Sequence, residues 1–384
     1  MRVRGAVVWE AGAPAPYAVS RPVDVAELEL AGPGPGEMLI RMGAAGLCHS
    51  DLSVIDGSRT RELPIALGHE AAGEVVELGE GVRGLEEGDH VVLAFVPPCG
   101  ECEQCRAGNE SRCGPAAVAG VNGTLLSGAR RFSTADGTVL HHHSGVSAFA
   151  EYAVVDARSA VKVDRDLPWD LAAVFGCAVL TGVGAAVYAA DVQAGERVAV
   201  FGLGGVGLAA VMGALMAGAE VIAVDLVADK LERARALGAT PVAGGPEAIE
   251  AVRELTGGGA PKVIDATGKI DGLAQAYAST SRGGLTVTVG LPHPDHALHV
   301  PATALVLEER TLKGSYMGNC VPTRDVPRFV QAWRDGQLPV DRLLTHRIGL
   351  DDINGGFDRL RDGEAVRQAV MFEGAARSSA TSSR

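Results

Sequence analysis

RVAVFGLGGVGLAAVMGALMAG, residues 197–218, is the stretch on which the fold turns. It reads as a buried strand, a glycine turn and an apolar helix, and in that context Gly202-Leu203-Gly204-Gly205-Val206-Gly207 becomes a specific dinucleotide signature. Gly202 permits the tight turn, Gly204 lets the backbone approach a pyrophosphate, and Gly207 allows close packing of helix on strand. From Gly205 onward, the N–H groups that open the helix face the phosphates. The acidic partner is Asp225, which ends the strand VIAVD eighteen residues beyond Gly207. A carboxylate there accepts hydrogen bonds from the adenosine ribose hydroxyls and repels a 2′-phosphate, which favours NAD over NADP. The competing reading, a glycine turn and a surface Asp with no ligand, does not explain why strand, loop and helix all occur together.

Outward from this core the pattern keeps alternating between strand and helix: VIAVD, ADKLERARALGA, KVIDATG and later TVTVG. That predicts an α/β chain with a doubly wound parallel sheet over 179–320. Residues 1–178 show short strands, such as Met38 to Met42 and Gly73 to Leu78, between glycine and proline turns. They predict a β-rich, partly open barrel whose loops carry metal ligands. Residues 321–384 offer the amphipathic segments RFVQAWRDG and INGGFDRLRDGEAVRQAV, expected to return to the first domain, and end in the polar ARSSATSSR, expected to be disordered.

In CGECEQCRAGNESRC, Cys99, Cys102, Cys105 and Cys113 fall within fifteen residues. This spacing clamps one tetrahedral metal in a single loop; an S₄ set leaves no open position, so a zinc there is structural and does no chemistry. Ordinary thiols or a disulfide pair are the other reading, which two x₂ gaps make a poor fit. Cys48, Cys177 and Cys320 are scattered, a metal and catalytic pattern more than a disulfide framework. The N-terminus MRVRGAVVWE enters a strand with no apolar leader, and no run of about 18 apolar residues is expected, which makes the cytoplasm the default. A net charge of −13 over 384 residues argues against a nucleic-acid partner. The 51 glycines are attributed mostly to tight turns and a GC-rich coding background. With 4% aromatic residues, the cores must be aliphatic.

A second metal site has to be assembled from scattered residues, and Cys48 in GLCHSD, His69 in LGHEAAG and Cys177 in FGCAVLTG are the candidates. Two thiolates, an imidazole and a water make an open site for Lewis-acid chemistry on an alcohol or carbonyl oxygen. A buried thiol and a turn histidine are the plainer alternatives. Together LCHSD, GHEAAGEVVELGEGV, the four-cysteine lobe, GCAVLTGVGAAV, GLGGVG and INGGFDRLRDGEAVR resemble the zinc-dependent medium-chain alcohol dehydrogenases over nearly the whole chain. The stretch GARRFSTADGTVLHHHSGVSAFAEYAVVD places the resemblance nearest the class I and class III branch.

The resemblance implies a GroES-like catalytic domain joined to a Rossmann cofactor domain, an NAD cofactor, two zinc ions per chain and a homodimer. It implies a catalytic zinc on Cys48, His69 and Cys177, with Glu70 behind it as an alternate ligand and Asp51 orienting His69. Ser50 begins a proton relay, His49, Val206 and Arg367 approach the pyrophosphate, and Lys230 and Thr181 are further cofactor contacts. Many relatives end the relay in a histidine where this chain has Ser53. Arg59 and Ala117 stand where the class III members grip glutathione with an acidic and a basic group. Phe95, His143, Leu291 and Tyr316 would line the pocket. Of the run His141, His142, His143, one pocket histidine and two structural ones are expected, because successive residues on a strand face opposite ways. The expected activity is NAD-dependent oxidation of bulky or aromatic primary alcohols and reduction of their aldehydes. The alternatives are a thiol-dependent formaldehyde dehydrogenase and, more remotely, a noncatalytic nucleotide-binding zinc protein.

Overall fold

The structure is a computed structural model and describes residues 1–372; the ARSSATSSR tail lies outside the described residues. The chain divides into two units. One comprises Met1–Cys177, Pro322–Pro327 and the residues from 344 onward, the other Ala178–Val321 and Arg328–Leu343. Residues 328–343, which the sequence groups with the first unit, cluster with the second.

In the second unit six strands form one sheet in the order Thr240–Ala243, Glu220–Asp225, Arg197–Phe201, Ala260–Asp265, Thr280–Thr288, Thr311–Gly314. Every pairing is parallel. Numbered along the chain this is 3-2-1-4-5-6, so the order reverses beside Arg197–Phe201, and sheets of this order bind ligands outside the carboxyl end of that strand. Val198, Ala199, Val200 and Phe201 are all buried, as a parallel strand covered on both faces requires. The helix Gly205–Met216 is buried over most of its length. A Cβ on Gly182 would lie 2.2 Å from the Val206 carbonyl oxygen, and one on Gly213 would lie 2.9 Å from Val183 Cα. These glycines let two helices meet backbone to backbone. Attributing the glycine content to turns and coding bias therefore misses a packing role.

The first unit is built from two sheets. One has five strands, in the order Phe132–Ser133, Val23–Leu30, Arg2–Val8, Ile65–Ala66, His141–His142. The other centres on Glu37–Gly46, which changes partner along its length: residues 37–41 pair with Tyr152–Asp156, and 44–46 pair with Arg367–Met371. Its other edge pairs with Glu70–Leu78 throughout. A strand shared in this way curls the sheet, which is the partly open barrel expected from the turn-rich sequence. Its core is mostly aliphatic, with Tyr17, Phe132, Phe149, Phe357 and Phe372 the aromatic exceptions.

One helical run, Trp169–Ala189, spans 21 residues and is apolar enough to cross a membrane by length and composition, which corrects the expectation that no such run exists. Its apolar window is 89% buried inside the protein, as a core helix is. Its winding loosens to π geometry at Phe175–Val179, around Cys177, a departure that often marks functional positions.

Candidate active site

In the first unit the strand Glu37–Gly46 delivers Cys48 to the start of the helix His49–Ile55, where it is the extended residue preceding the first turn. Asp51, in that turn, reaches back so that its Oδ2 accepts the Cys48 N–H at 3.0 Å. His69 directly precedes the strand Glu70–Leu78, and its Nδ1 lies 3.0 Å from Asp51 Oδ1. That contact leaves Nε2 facing Cys177 Sγ, 3.6 Å away. The ligand atoms of Cys48, His69 and Cys177 all lie within 4.8 Å of one another, and all three residues are buried.

The electrostatics are those of a cation site. Burial pushes the Asp51 carboxyl up, but His69 and His143 beside it outweigh this and hold it below the usual range. His69 is driven well above its ordinary value by Asp51 despite burial. A hydrogen bond from Cys177 holds the Cys48 thiol well below its usual range, with Arg367 adding to the effect. Glu70 is fully buried and neither carboxylate oxygen has a hydrogen-bond partner; Arg367 Nη2 is 3.6 Å away. Burial pushes its carboxyl up to about 7. Two sulfurs and one imidazole nitrogen within 4.8 Å of one another, with the unbonded carboxylate of Glu70 next in the chain to His69, suit zinc, with a fourth position left for a small molecule.

The lobe cysteines have a different geometry. Cys99 and Cys105 Sγ are 3.9 Å apart, and Cys102 and Cys113 Sγ are 4.0 Å apart. A tetrahedron with metal–sulfur bonds of about 2.3 Å has edges of about 3.8 Å. These separations fit a metal and exclude the disulfide reading, which needs sulfurs about 2 Å apart. The Cys99 and Cys102 amides donate to Cys113 Sγ and Cys99 Sγ, both at 3.3 Å.

In the second unit Gly202 has φ +84°, and a Cβ on Gly207 would sit 1.7 Å from the Gly202 carbonyl oxygen, so neither position accepts a side chain. A Cβ on Gly204 would meet nothing within 4 Å, which leaves room for a phosphate to approach. Asp225 Oδ2 accepts the Leu203 N–H at 2.6 Å, and Oδ1 accepts the Val227 N–H at 2.9 Å. The carboxylate thus anchors the glycine loop itself while retaining lone pairs for ribose hydroxyls. Thr181 adjoins Gly182, the residue packed on Val206. Lys230 lies in the helix Ala228–Leu237, which follows Asp225.

The remaining assignments divide. Phe95 and His143 flank the His69 ring edge-on, at centroid distances of 5.6 and 5.1 Å. Leu291 and Tyr316 belong to the second unit and are about half exposed. Arg59 is half-buried, its N–H bonded to Ser53 O. Ser50 is half-buried and His49 exposed, while Ser53 Oγ donates to the His49 carbonyl at 2.8 Å. Arg367 is 3% exposed, and its Nη1 donates to Leu47 O at 2.9 Å. Sequence offered no signal for the Arg367–Glu70 pairing. His142 is buried between Ser147 Oγ, 3.2 Å from its Nδ1, and the Arg131 N–H, which donates to Nε2 at 3.0 Å; burial pushes it down to about 3.

Two family models cover much of the chain: an alcohol dehydrogenase GroES-like domain over residues 34–165 and a zinc-binding dehydrogenase domain over 205–334. The chain is 40% identical to a putative alcohol dehydrogenase D of Mycobacterium tuberculosis, over 97% of its own length and all of the relative's. It is 39% identical to an NDMA-dependent alcohol dehydrogenase of Amycolatopsis methanolica (97% and 99% covered). It is 35% identical to an S-(hydroxymethyl)glutathione dehydrogenase of Paracoccus denitrificans (97% and 100%). Among solved structures, benzyl alcohol dehydrogenase from Acinetobacter calcoaceticus superposes with a TM-score of 0.89 at 30% identity, covering 97% and 99%.

Proposed function

The chain belongs to the zinc-dependent medium-chain alcohol dehydrogenases, and from that premise we propose that it interconverts primary alcohols, bulky or aromatic ones by preference, and their aldehydes with NAD as hydride acceptor. The observation that carries the reading is the buried trio Cys48, His69 and Cys177 beside the orphaned Glu70 carboxylate.

Cys48, His69 and Cys177 would hold one zinc ion and the four lobe cysteines a second. Bound at the first set, zinc supplies a Lewis acid for the alcohol oxygen, and NAD bound at the glycine loop supplies the hydride acceptor. The residues of the chain do the rest. Asp51 fixes the tautomer of His69. Ser50 accepts the alcohol proton through its hydroxyl and passes it outward. Because the Ser53 hydroxyl already donates to His49 O, Ser53 can relay only through its acceptor lone pairs, so His49 or water completes the path. Gly204 admits the pyrophosphate, and Asp225 receives the ribose hydroxyls. Phe95 gives the metal's surroundings an apolar, aromatic face suited to a flat substrate.

The benzyl alcohol dehydrogenase likeness supports an aromatic substrate. The glutathione-adduct relative supports a second reading, against which stand Arg59 and Ala117, a reversed and a removed charge. The NDMA-dependent relative raises the question of the acceptor. We further propose a dimer. The sheet of the second unit ends in Thr311–Gly314, with Leu305, Val306, Leu307 and Leu312 exposed beside it, and this edge suits pairing across a two-fold axis. The test is a panel of benzyl, medium-chain and short alcohols, and of formaldehyde with and without glutathione, run with NAD⁺, NADP⁺ or NDMA as acceptor. Highest kcat/KM for benzyl-type alcohols with NAD⁺ supports the reading. A strict glutathione requirement, or turnover with NDMA but not NAD⁺, overturns its substrate or its acceptor respectively.

A further inference from the structure

We propose that His143 is a positioning residue for the metal centre: its Nδ1 abuts Asp51 as a second imidazole contact, and through that carboxylate it fixes the orientation of the ligand His69. The inference rests on the reading of Cys48, His69 and Cys177 as a zinc site.

Asp51 is fully buried and acts as a hub. Its Oδ2 is taken by the Cys48 N–H at 3.0 Å. Its Oδ1 lies 3.0 Å from His69 Nδ1 and also 3.0 Å from His143 Nδ1. His143 Nδ1 is buried and makes no aligned hydrogen bond among the described residues, so its approach to Asp51 Oδ1 is a close polar contact. With a single donor on Oδ1 the carboxylate could pivot about its bond to Cys48 and carry the His69 ring with it. With two ring nitrogens against Oδ1, from rings at 78° to each other, the pivot is closed.

His143 is delivered rigidly. It follows the short strand His141–His142, which pairs with Ile65–Ala66, and it opens a turn in which Ser144, Gly145 and Ser147 all have positive φ. Ser147 locks that turn: its hydroxyl accepts the His143 N–H at 3.0 Å and contacts His142 Nδ1 at 3.2 Å. Beyond the turn, Ala148 and Phe149 donate N–H bonds to the carbonyls of Gly68 and Leu67, the residues just before His69. One segment therefore sets both the backbone before His69 and the second imidazole against its carboxylate partner. The buried His142 belongs to this device, held between Ser147 Oγ and the Arg131 N–H.

The test uses the full-length zinc protein and three variants. His143→Phe keeps the ring volume and removes the ring nitrogen. His143→Asn places an amide N–H near Nδ1, and His143→Gln places one near Nε2 instead. Zinc release to a chelator is followed directly, with the slowly exchanging lobe zinc as internal control, and the cobalt-substituted protein is followed by its visible ligand-field spectrum. Loss of one partner of a metal ligand typically costs 10–100-fold in affinity. One step further out, we expect the faster-exchanging zinc to leave about 3–10-fold sooner in His143→Phe and His143→Gln, with a shifted cobalt spectrum, and His143→Asn to restore both. Equal release and an unchanged spectrum in His143→Phe overturn the proposal, as does Gln rescuing as well as Asn. If His143→Phe loses the lobe zinc too, it has misfolded, and the contrast between Asn and Gln decides. A parent protein with no metal on Cys48, His69 and Cys177 overturns the zinc reading itself.

Discussion

Replacing Asp225 by Ser separates two tasks of one carboxylate, the loop anchoring that the structure shows and the ribose recognition proposed for it. Its oxygens accept the Leu203 and Val227 N–H groups at 2.6 and 2.9 Å, so it ties the end of the strand Glu220–Asp225 to the glycine loop and to the approach of the next helix. Hydrogen bonds to a charged group are worth about 1.5–3 kcal/mol each, and at a half-exposed site water recovers part of that, so the pair contributes about 2–3 kcal/mol. The serine hydroxyl is too short to reach both amides. For a unit of this size 1 kcal/mol shifts the midpoint by about 2–4 °C, so Asp225→Ser should lower it by about 5–10 °C in the absence of cofactor. Independently, removing the charge removes its repulsion of a 2′-phosphate, and about 2 kcal/mol of relieved repulsion raises the NADP⁺ to NAD⁺ ratio of kcat/KM about 30-fold. Calorimetry reads the first effect and steady-state kinetics the second. A midpoint within 1 °C of the parent would refute the anchoring role. A parent that uses NADP⁺ as well as NAD⁺ would refute the ribose role, and the two failures are distinguishable.

Further outcomes follow from the same geometry. Ser50→Ala should lower kcat about 100-fold while leaving zinc content unchanged, because the hydroxyl handles the proton without holding the metal; an unimpaired variant refutes the relay. Cys102→Ser should cost one zinc and at least about 5 °C in unfolding midpoint, with kcat of the folded fraction within about twofold of the parent; a large kcat loss without unfolding would mean the lobe reaches the chemistry. Glu37 is fully buried; burial pushes its carboxyl up, but bonds from Arg131 at 2.8 Å, Ser127 at 2.6 Å and the Gly34 amide at 2.8 Å outweigh this and hold it low. A depressed folded value means stability that is present above the unfolded carboxyl pKa near 4.3 and is lost as pH falls through the folded value. Denaturant titrations should therefore show the difference between parent and Glu37→Gln, about 2–3 kcal/mol at pH 7, shrinking below pH 4. A difference independent of pH would remove Glu37 from the acid response.

What the sequence disclosed was local. The lobe cysteines close one loop, and the glycines close one turn, so spacing alone reports their geometry, and both the dinucleotide loop and the S₄ set are legible before any fold is known. Ligands contributed one at a time by separate elements are weaker signals. Cys48, His69 and Cys177 could be nominated from glycine-flanked positions, but only tertiary packing brings their ligand atoms within 4.8 Å. Least legible were the partners behind the ligands. His143 joins Asp51, and Arg367 joins Glu70 and Leu47 O, through contacts between residues far apart in the chain, with no periodicity or spacing to announce them. Strand alternation does not say what each of the three histidines meets. The long apolar stretch inside Trp169–Ala189 is hard to read as a single run because Gly176, Gly182 and Gly184 interrupt it.

The most direct measurement of the central claim is zinc stoichiometry by elemental analysis on the parent and on Cys48→Ser. The account predicts two zinc ions per chain in the parent, one of them removed by a chelator together with all turnover, and one zinc per chain with no turnover in a folded Cys48→Ser. A parent holding one zinc, or a Cys48→Ser protein that keeps two or still oxidises alcohols, would contradict it.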